Sequence, residues 1–182
     1  MKHRLIILSD LWGVTDDSWV AMYVDKLSED FQVTFYSSCE LAEMPRENLS
    51  EEERHVFFVN GGLERAVKNL VELEKERFTV LAFSIGGTIA WKACLKGLDI
   101  EKLYAISSTR LRYETEKPKA EAILYFGEED NYKPNNNWFE KMKVDYSIIP
   151  EKVHEMYKEE EFAKRLCLLI KSSYESTSKN TQ

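Results

Sequence analysis

The chain has 182 residues, 43% apolar and 12% aromatic, with 25 basic against 32 acidic side chains and a formal net charge of −7. A single domain of this length buries roughly 70% of the surface its unfolded chain exposes, so it needs no disulfide or metal staple. An acidic balance without a Lys/Arg block excludes the electrostatic footprint of proteins that bind nucleic acids or anionic membranes.

Cys39, Cys94 and Cys167 are widely spaced and form no Cys-x-x-Cys pair, so they read as reduced small hydrophobes. The basic start before the apolar run at 5–8 superficially suggests a secretory leader. That run stops at Ser9-Asp10, short of the roughly seven apolar residues a leader needs. No other stretch approaches the roughly 18 apolar residues of a membrane span. The expectation is a soluble, cytoplasmic protein.

In chain order, branched apolar runs occur at 5–8, 33–36, 79–83, 103–107, 122–126 and 146–149. Their continuous rather than alternating apolar character predicts strands covered on both faces, as in a parallel sheet. Between the first two, residues 18–30 place Trp19, Met22, Tyr23 and Leu27 at helical spacing, with Asp16 or Asp17 as a cap. After the second run, Ser50-Glu51-Glu52-Glu53 is a capping-box pattern that predicts a short helix, although the Val56-Phe57-Phe58-Val59 that follows suits a strand equally. Gly61 ends that helix before a second one, carrying Leu63, Ala66, Val67, Leu70 and Leu73, runs to about Lys75. A helix from Gly87 to Leu95 follows the third run directly, and Gly97 stops it. The last helix spans about 159–174 with Phe162, Leu166, Leu169 and Ile170 on its apolar face. Residues 1–175 then form one domain and 176–182 a flexible tail. Strands alternating with helices give a three-layer α/β/α fold whose ligands gather at the carboxyl ends of the strands.

The sharpest chemical signal is Ala82-Phe83-Ser84-Ile85-Gly86-Gly87, a strand, then a serine with small residues two positions away on either side, then a helix. A serine at a strained strand-to-helix corner needs such neighbours, because larger side chains collide there. The fifth run leads into Gly127-Glu128-Glu129-Asp130, and His154 follows the sixth. His3 precedes the first strand and His55 sits in an acidic helix start, so His154 is the one histidine at a strand's carboxyl end. The sequence fixes the acidic loop but not which of Glu128, Glu129 and Asp130 turns toward the histidine. No His-x-x-x-His, no acidic calcium loop and no Gly-Lys-Ser/Thr phosphate loop is present, so neither metal nor cofactor is indicated.

The elbow and the chain order serine, acid, histidine resemble the α/β-hydrolase superfamily, with Ala82 in place of the usual first glycine. The resemblance spans residues 4–173 and implies a small, lidless serine hydrolase with a six-stranded parallel sheet in the order 2-1-3-4-5-6. It further implies Ser84 as nucleophile, His154 as its general base and Asp130 as the acid that orients His154, Gly127 to Asp130 matching the family's Gly-x-x-Asp. The implied oxyanion donors are the backbone amides of Ile85 and Leu11. Asp10 stands where a glycine is common, and its carboxylate must face away from the oxyanion site or turnover is low.

With only residues 108–118 between the fourth and fifth strands, the site is expected to be shallow and open. Its expected walls are Leu11, Trp12, Ile85 and Met156, with Tyr113 and Trp138 further out. The implied activity is cleavage of a small carboxylic ester or thioester through an acyl-enzyme. The alternatives are a binding protein with a vestigial site and an acyltransferase using the same three residues. The expected partner is a small ester-like molecule, with neither nucleic acid nor membrane; the oligomeric state stays open.

Overall fold

Each of the six apolar runs forms a strand in the computed structural model, which describes residues 2–13, 19–46 and 48–179. The strands are β1 (His3–Leu8), β2 (Phe31–Tyr36), β3 (Phe78–Phe83), β4 (Ile100–Ile106), β5 (Glu121–Gly127) and β6 (Asp145–Ile149). They make one sheet in the order β2-β1-β3-β4-β5-β6, parallel at every pairing, as expected. At its centre Leu8 pairs with Ala82 and Ala82 with Ala105.

Alternation along each strand divides the core into two layers, because successive side chains leave opposite faces of a sheet. Ile6, Leu8, Val80, Ala82, Leu103, Ala105 and Leu124 pack with the helices α4 (Leu63–Leu73), α5 (Ile85–Leu95) and α6 (Asn136–Met142). Leu5, Ile7, Leu81, Phe83, Tyr104 and Ile106 pack with α1 (Val20–Leu27) and α7 (Glu160–Lys179). Two short helices, α2 (Ser38–Leu41) and α3 (Glu51–Phe57), precede α4.

The ambiguous segment 56–59 is helical. Ser50 caps α3 with both reciprocal hydrogen bonds of the capping box. The chain then passes a wide kinked turn, Phe58–Gly62, before α4 starts. Gly61 takes φ +108° there, a left-handed conformation that a side chain would strain. Gly97, at φ +97°, follows α5 as expected. Two ends differ from expectation: α4 stops at Leu73, and α7 continues to Lys179 rather than ending near Tyr174. The proposed caps Asp16 and Asp17 lie outside the described residues. Among those residues no helix is long and apolar enough to cross a membrane.

Candidate active site

Five chain segments meet at the carboxyl rim of the sheet: Ser9–Gly13 after β1, Ser84 after β3, Thr109–Tyr113 after β4, Asp130 after β5 and His154 after β6. Ser84 sits between β3 and α5 with φ 50° and ψ −117°, a strained conformation for a residue with a side chain. Its amide donates to the Ile106 carbonyl at 2.8 Å, which fixes the corner to the neighbouring strand.

The two glycines after it are required by contact rather than by torsion. A Cβ on Gly86 would stand 2.5 Å from the Ser9 carbonyl oxygen, and one on Gly87 would stand 2.7 Å from Ser108 Cβ. Side chains at these positions would push α5 off β1 and β4. Ala82 is fully buried, so its methyl group is accommodated in place of the usual glycine.

His154 begins a 3₁₀ turn, His154–Lys158, and its ring bridges two side chains from other loops. Nε2 lies 3.0 Å from Ser84 Oγ, and Nδ1 lies 2.7 Å from Asp130 Oδ2. The second oxygen of Asp130 accepts the Tyr132 amide at 3.0 Å, and the residue is only 3% exposed. Glu128 instead turns outward to accept the Glu151 amide, and Glu129 is exposed. Geometry thus selects Asp130 from the three acids of this loop.

Asp10 turns away from the cavity. Its Oδ1 accepts the Trp12 amide at 3.0 Å, its Oδ2 accepts the Tyr157 hydroxyl at 3.0 Å, and Lys158 Nζ stands 4.0 Å away. Burial raises the pKa of its carboxyl above the ordinary value, opposed by these hydrogen bonds and by Lys158. The same burial, with Asp10 beside it, raises that of Tyr157. Cys39 donates from Sγ to the Leu11 carbonyl at 3.1 Å, so the loop after β1 is tied on both sides. The Leu11 amide has no acceptor among the described residues, and Ile85, as the first residue of α5, has no intrahelical acceptor for its own.

A cavity of about 640 Å³ opens over Ser84 and His154. Its lining corrects two expectations. The site is not a shallow open patch, because α3 supplies Glu51, Glu52 and His55 as one wall and the segment after β4 supplies Thr109, Arg110 and Arg112 as another. Of the expected walls, Leu11 and Ile85 line it but Trp12 and Met156 do not. Met156 is fully buried in the core beneath, since the 3₁₀ turn that presents His154 outward sends the residue two positions later inward. Trp12 is 38% exposed, with the Arg54 guanidinium over its ring. Tyr113 and Trp138 also lie off the cavity: Tyr113 stacks with Arg110 and Arg112, and Trp138 is buried against Trp91. Tyr132 and Glu155 complete the lining beside residues the sequence did not single out. Among the described residues no group of three or more His, Cys, Asp or Glu side chains could hold a metal ion.

No protein-family model matches the chain, and no curated protein matches it in sequence. Solved structures do resemble it. An α/β-hydrolase enzyme from the metagenome of sediments of the Mar Chica lagoon, Morocco, is 16% identical, with TM-score 0.64 over 98% of this chain and 93% of that one. A structure from a study of carboxylesterases of the thaumarchaeon Nitrososphaera gargenis is 10% identical, with TM-score 0.64 over 98% and 92%. A serine hydrolase involved in carbazole degradation is 12% identical, with TM-score 0.61 over 93% and 92%. Taken with the strand order, the elbow at Ser84 and the shared rim, these likenesses identify the chain's fold as that of the α/β-hydrolase superfamily.

Proposed function

We propose that the protein is a serine hydrolase that cleaves a small carboxylic ester or thioester through an acyl-enzyme on Ser84. The observation that carries this reading is the continuous hydrogen-bonded chain from Asp130 through His154 to Ser84 at the strained elbow. An isolated serine hydroxyl is a weak nucleophile near neutral pH, and imidazole at 3.0 Å from Oγ is positioned to take its proton as the hydroxyl attacks. Asp130 holds the ring by Nδ1 and stabilises the imidazolium that forms. The carbonyl oxygen, becoming negative, is received by the free amides of Leu11 and Ile85. His154 then returns the proton to the departing alcohol or thiol. A water activated in the same way releases the acid; an alcohol or amine in its place would make the protein an acyltransferase.

An acid intruding on the oxyanion site and a lack of cover would both suit a vestigial binding site. Asp10 faces away from the cavity and the cavity is walled by α3, so neither supports that alternative. The test is intact-mass analysis after exposure to a fluorophosphonate. A single adduct that maps to Ser84 and disappears in Ser84→Ala is expected, because only an activated hydroxyl reacts in water. Folded protein without an adduct after prolonged exposure would refute the reading.

A further inference from the structure

The cavity over Ser84 holds two arginines in different situations. Arg112 makes three hydrogen bonds to neutral groups: Nη1 donates to the carbonyls of Thr109 and Tyr132 at 2.9 and 3.2 Å, and Nη2 to the Tyr113 hydroxyl at 2.8 Å. It ties the 3₁₀ turn Thr109–Tyr113 to the loop after β5. Arg110, on the same turn, is half-buried in the cavity wall and stacks 5.2 Å from the centre of the Tyr113 ring. Among the described residues it has no carboxylate within ion-pair distance and no hydrogen-bond acceptor. A guanidinium carries five N–H donors in a planar fork that matches a carboxylate. Arg110 therefore presents an unspent cation, on a turn braced by Arg112, to the space where substrate must lie.

Resting on the hydrolase reading, we propose that Arg110 binds a carboxylate on the substrate, so that the preferred substrates are esters or thioesters of dicarboxylic acids or of hydroxy acids. The acidic residues on the cavity wall do not cancel this preference. Glu51, Glu52 and Glu155 are exposed, where water and salt screen them, whereas Arg110 is partly desolvated and its charged hydrogen bonds are correspondingly stronger.

The experiment measures kcat/KM for neutral 4-nitrophenyl hexanoate and for two charged esters, mono-4-nitrophenyl adipate, charged on the acyl chain, and the hexanoate ester of 3-hydroxybenzoate, charged on the leaving group. Each charged ester is referred to its uncharged counterpart, the methyl-capped diester. In the wild type at least one charged ester should be preferred by about tenfold or more, mainly through KM, as expected for one charge-assisted contact. In Arg110→Gln that ratio should fall to near one, and Arg110→Lys should restore part of it. Arg110→Met, which keeps the aliphatic stem, is read in the same way should the glutamine variant not fold. Equal ratios in wild type and variants, or preference for an ester bearing a trimethylammonium group, would overturn the proposal while leaving the hydrolase reading intact. An inert Ser84 with no ester cleaved would overturn both.

Discussion

Gly127 shows how one missing side chain aligns the site. It lacks the left-handed φ that usually explains a glycine, yet a Cβ there would stand 2.6 Å from the Lys152 carbonyl carbon and 2.7 Å from the Val153 carbonyl oxygen. The loop carrying His154 therefore lies directly against the end of β5, held by Glu128 and Glu129 amides donating to the Ile149 and Lys152 carbonyls at 2.9 Å each. Gly127→Ala must displace backbone rather than a flexible tip. Its expected cost is about 1–3 kcal/mol of stability by overpacking, with a larger effect on rate, about 100-fold for a displacement near 1 Å. A thermal melt and the hydrolysis of an activated ester check both. The Gly-x-x-Asp pattern is visible in the sequence, but the reason for its glycine lies in a contact with residues 25 and 26 positions later. Asp130 could not be separated from Glu128 and Glu129 for the same reason, since only the docked loop decides which acid meets His154.

Asp10 makes a second, opposite prediction. Burial raises its pKa in the folded state, so ionisation at neutral pH opposes folding; the stability linked to its protonated form is complete below the unfolded value and is lost as pH rises through the folded one. Asp10→Asn keeps an oxygen for the Trp12 amide and removes the buried charge. The variant should be at least as stable as wild type to urea at pH 7, and its advantage should shrink as pH falls through the folded pKa of Asp10. A variant markedly less stable at pH 7 would show that the contacts with Tyr157 and Lys158 outweigh desolvation.

At the scale of elements, α3 differs from every helix beneath it. None of its residues is buried, and its ends are the Ser50 capping box and the kink at Asn60 and Gly61. Its attachments are made by Arg54, which donates to the Leu49 carbonyl and the Cys39 and Met44 sulfurs and lies over Trp12, and by Phe57, which packs against the core under the Arg65 guanidinium. A helix this short is marginal without tertiary support, so its cap carries a large share of its stability. Ser50→Ala should cost about 1 kcal/mol locally. Amide exchange across Glu51–Phe57 should accelerate about fivefold while exchange in β3 and the melting temperature hold steady, which hydrogen exchange with mass spectrometry resolves. Equal acceleration in β3 would mean that α3 unfolds only with the whole domain. The capping box was legible because it is local chemistry in four consecutive residues. That α3 walls the site was not, because Glu51 and Ser84 are brought together by the sheet order and by no pattern in either segment. Met156 enters the core instead of the cavity wall for a similar reason, because proximity to His154 in sequence does not specify which side of a 3₁₀ turn faces the core.

For the molecule as a whole, the two core layers are separated by a sheet whose strands are buried on both faces at its centre. The strands were legible because the apolar runs are continuous, and their order followed from the resemblance together with right-handed crossovers between helices on both faces. Which layer each side chain enters follows from alternation once one residue is placed. Leu5 and Leu124 test this division, lying on opposite faces and three strand spacings apart, roughly 14 Å. Leu5→Ala and Leu124→Ala should each cost about 2–5 kcal/mol, and the double variant should lose their sum within about 0.5 kcal/mol in chemical denaturation. A strong departure from the sum would show that the layers communicate through the sheet.

The bond from the Tyr157 hydroxyl to Asp10 joins residues 147 positions apart, and His154 lies three residues before that tyrosine. On the ribosome the loop bearing Leu11 is made before the tyrosine that braces it and before the imidazole that meets Ser84. Until the segment after β6 is made and docks, the loop after β1 lacks its brace and Ser84 lacks the imidazole that the proposed reaction requires. On the proposed reading, the reactivity of Ser84 would report that all six strands of the sheet have been assembled.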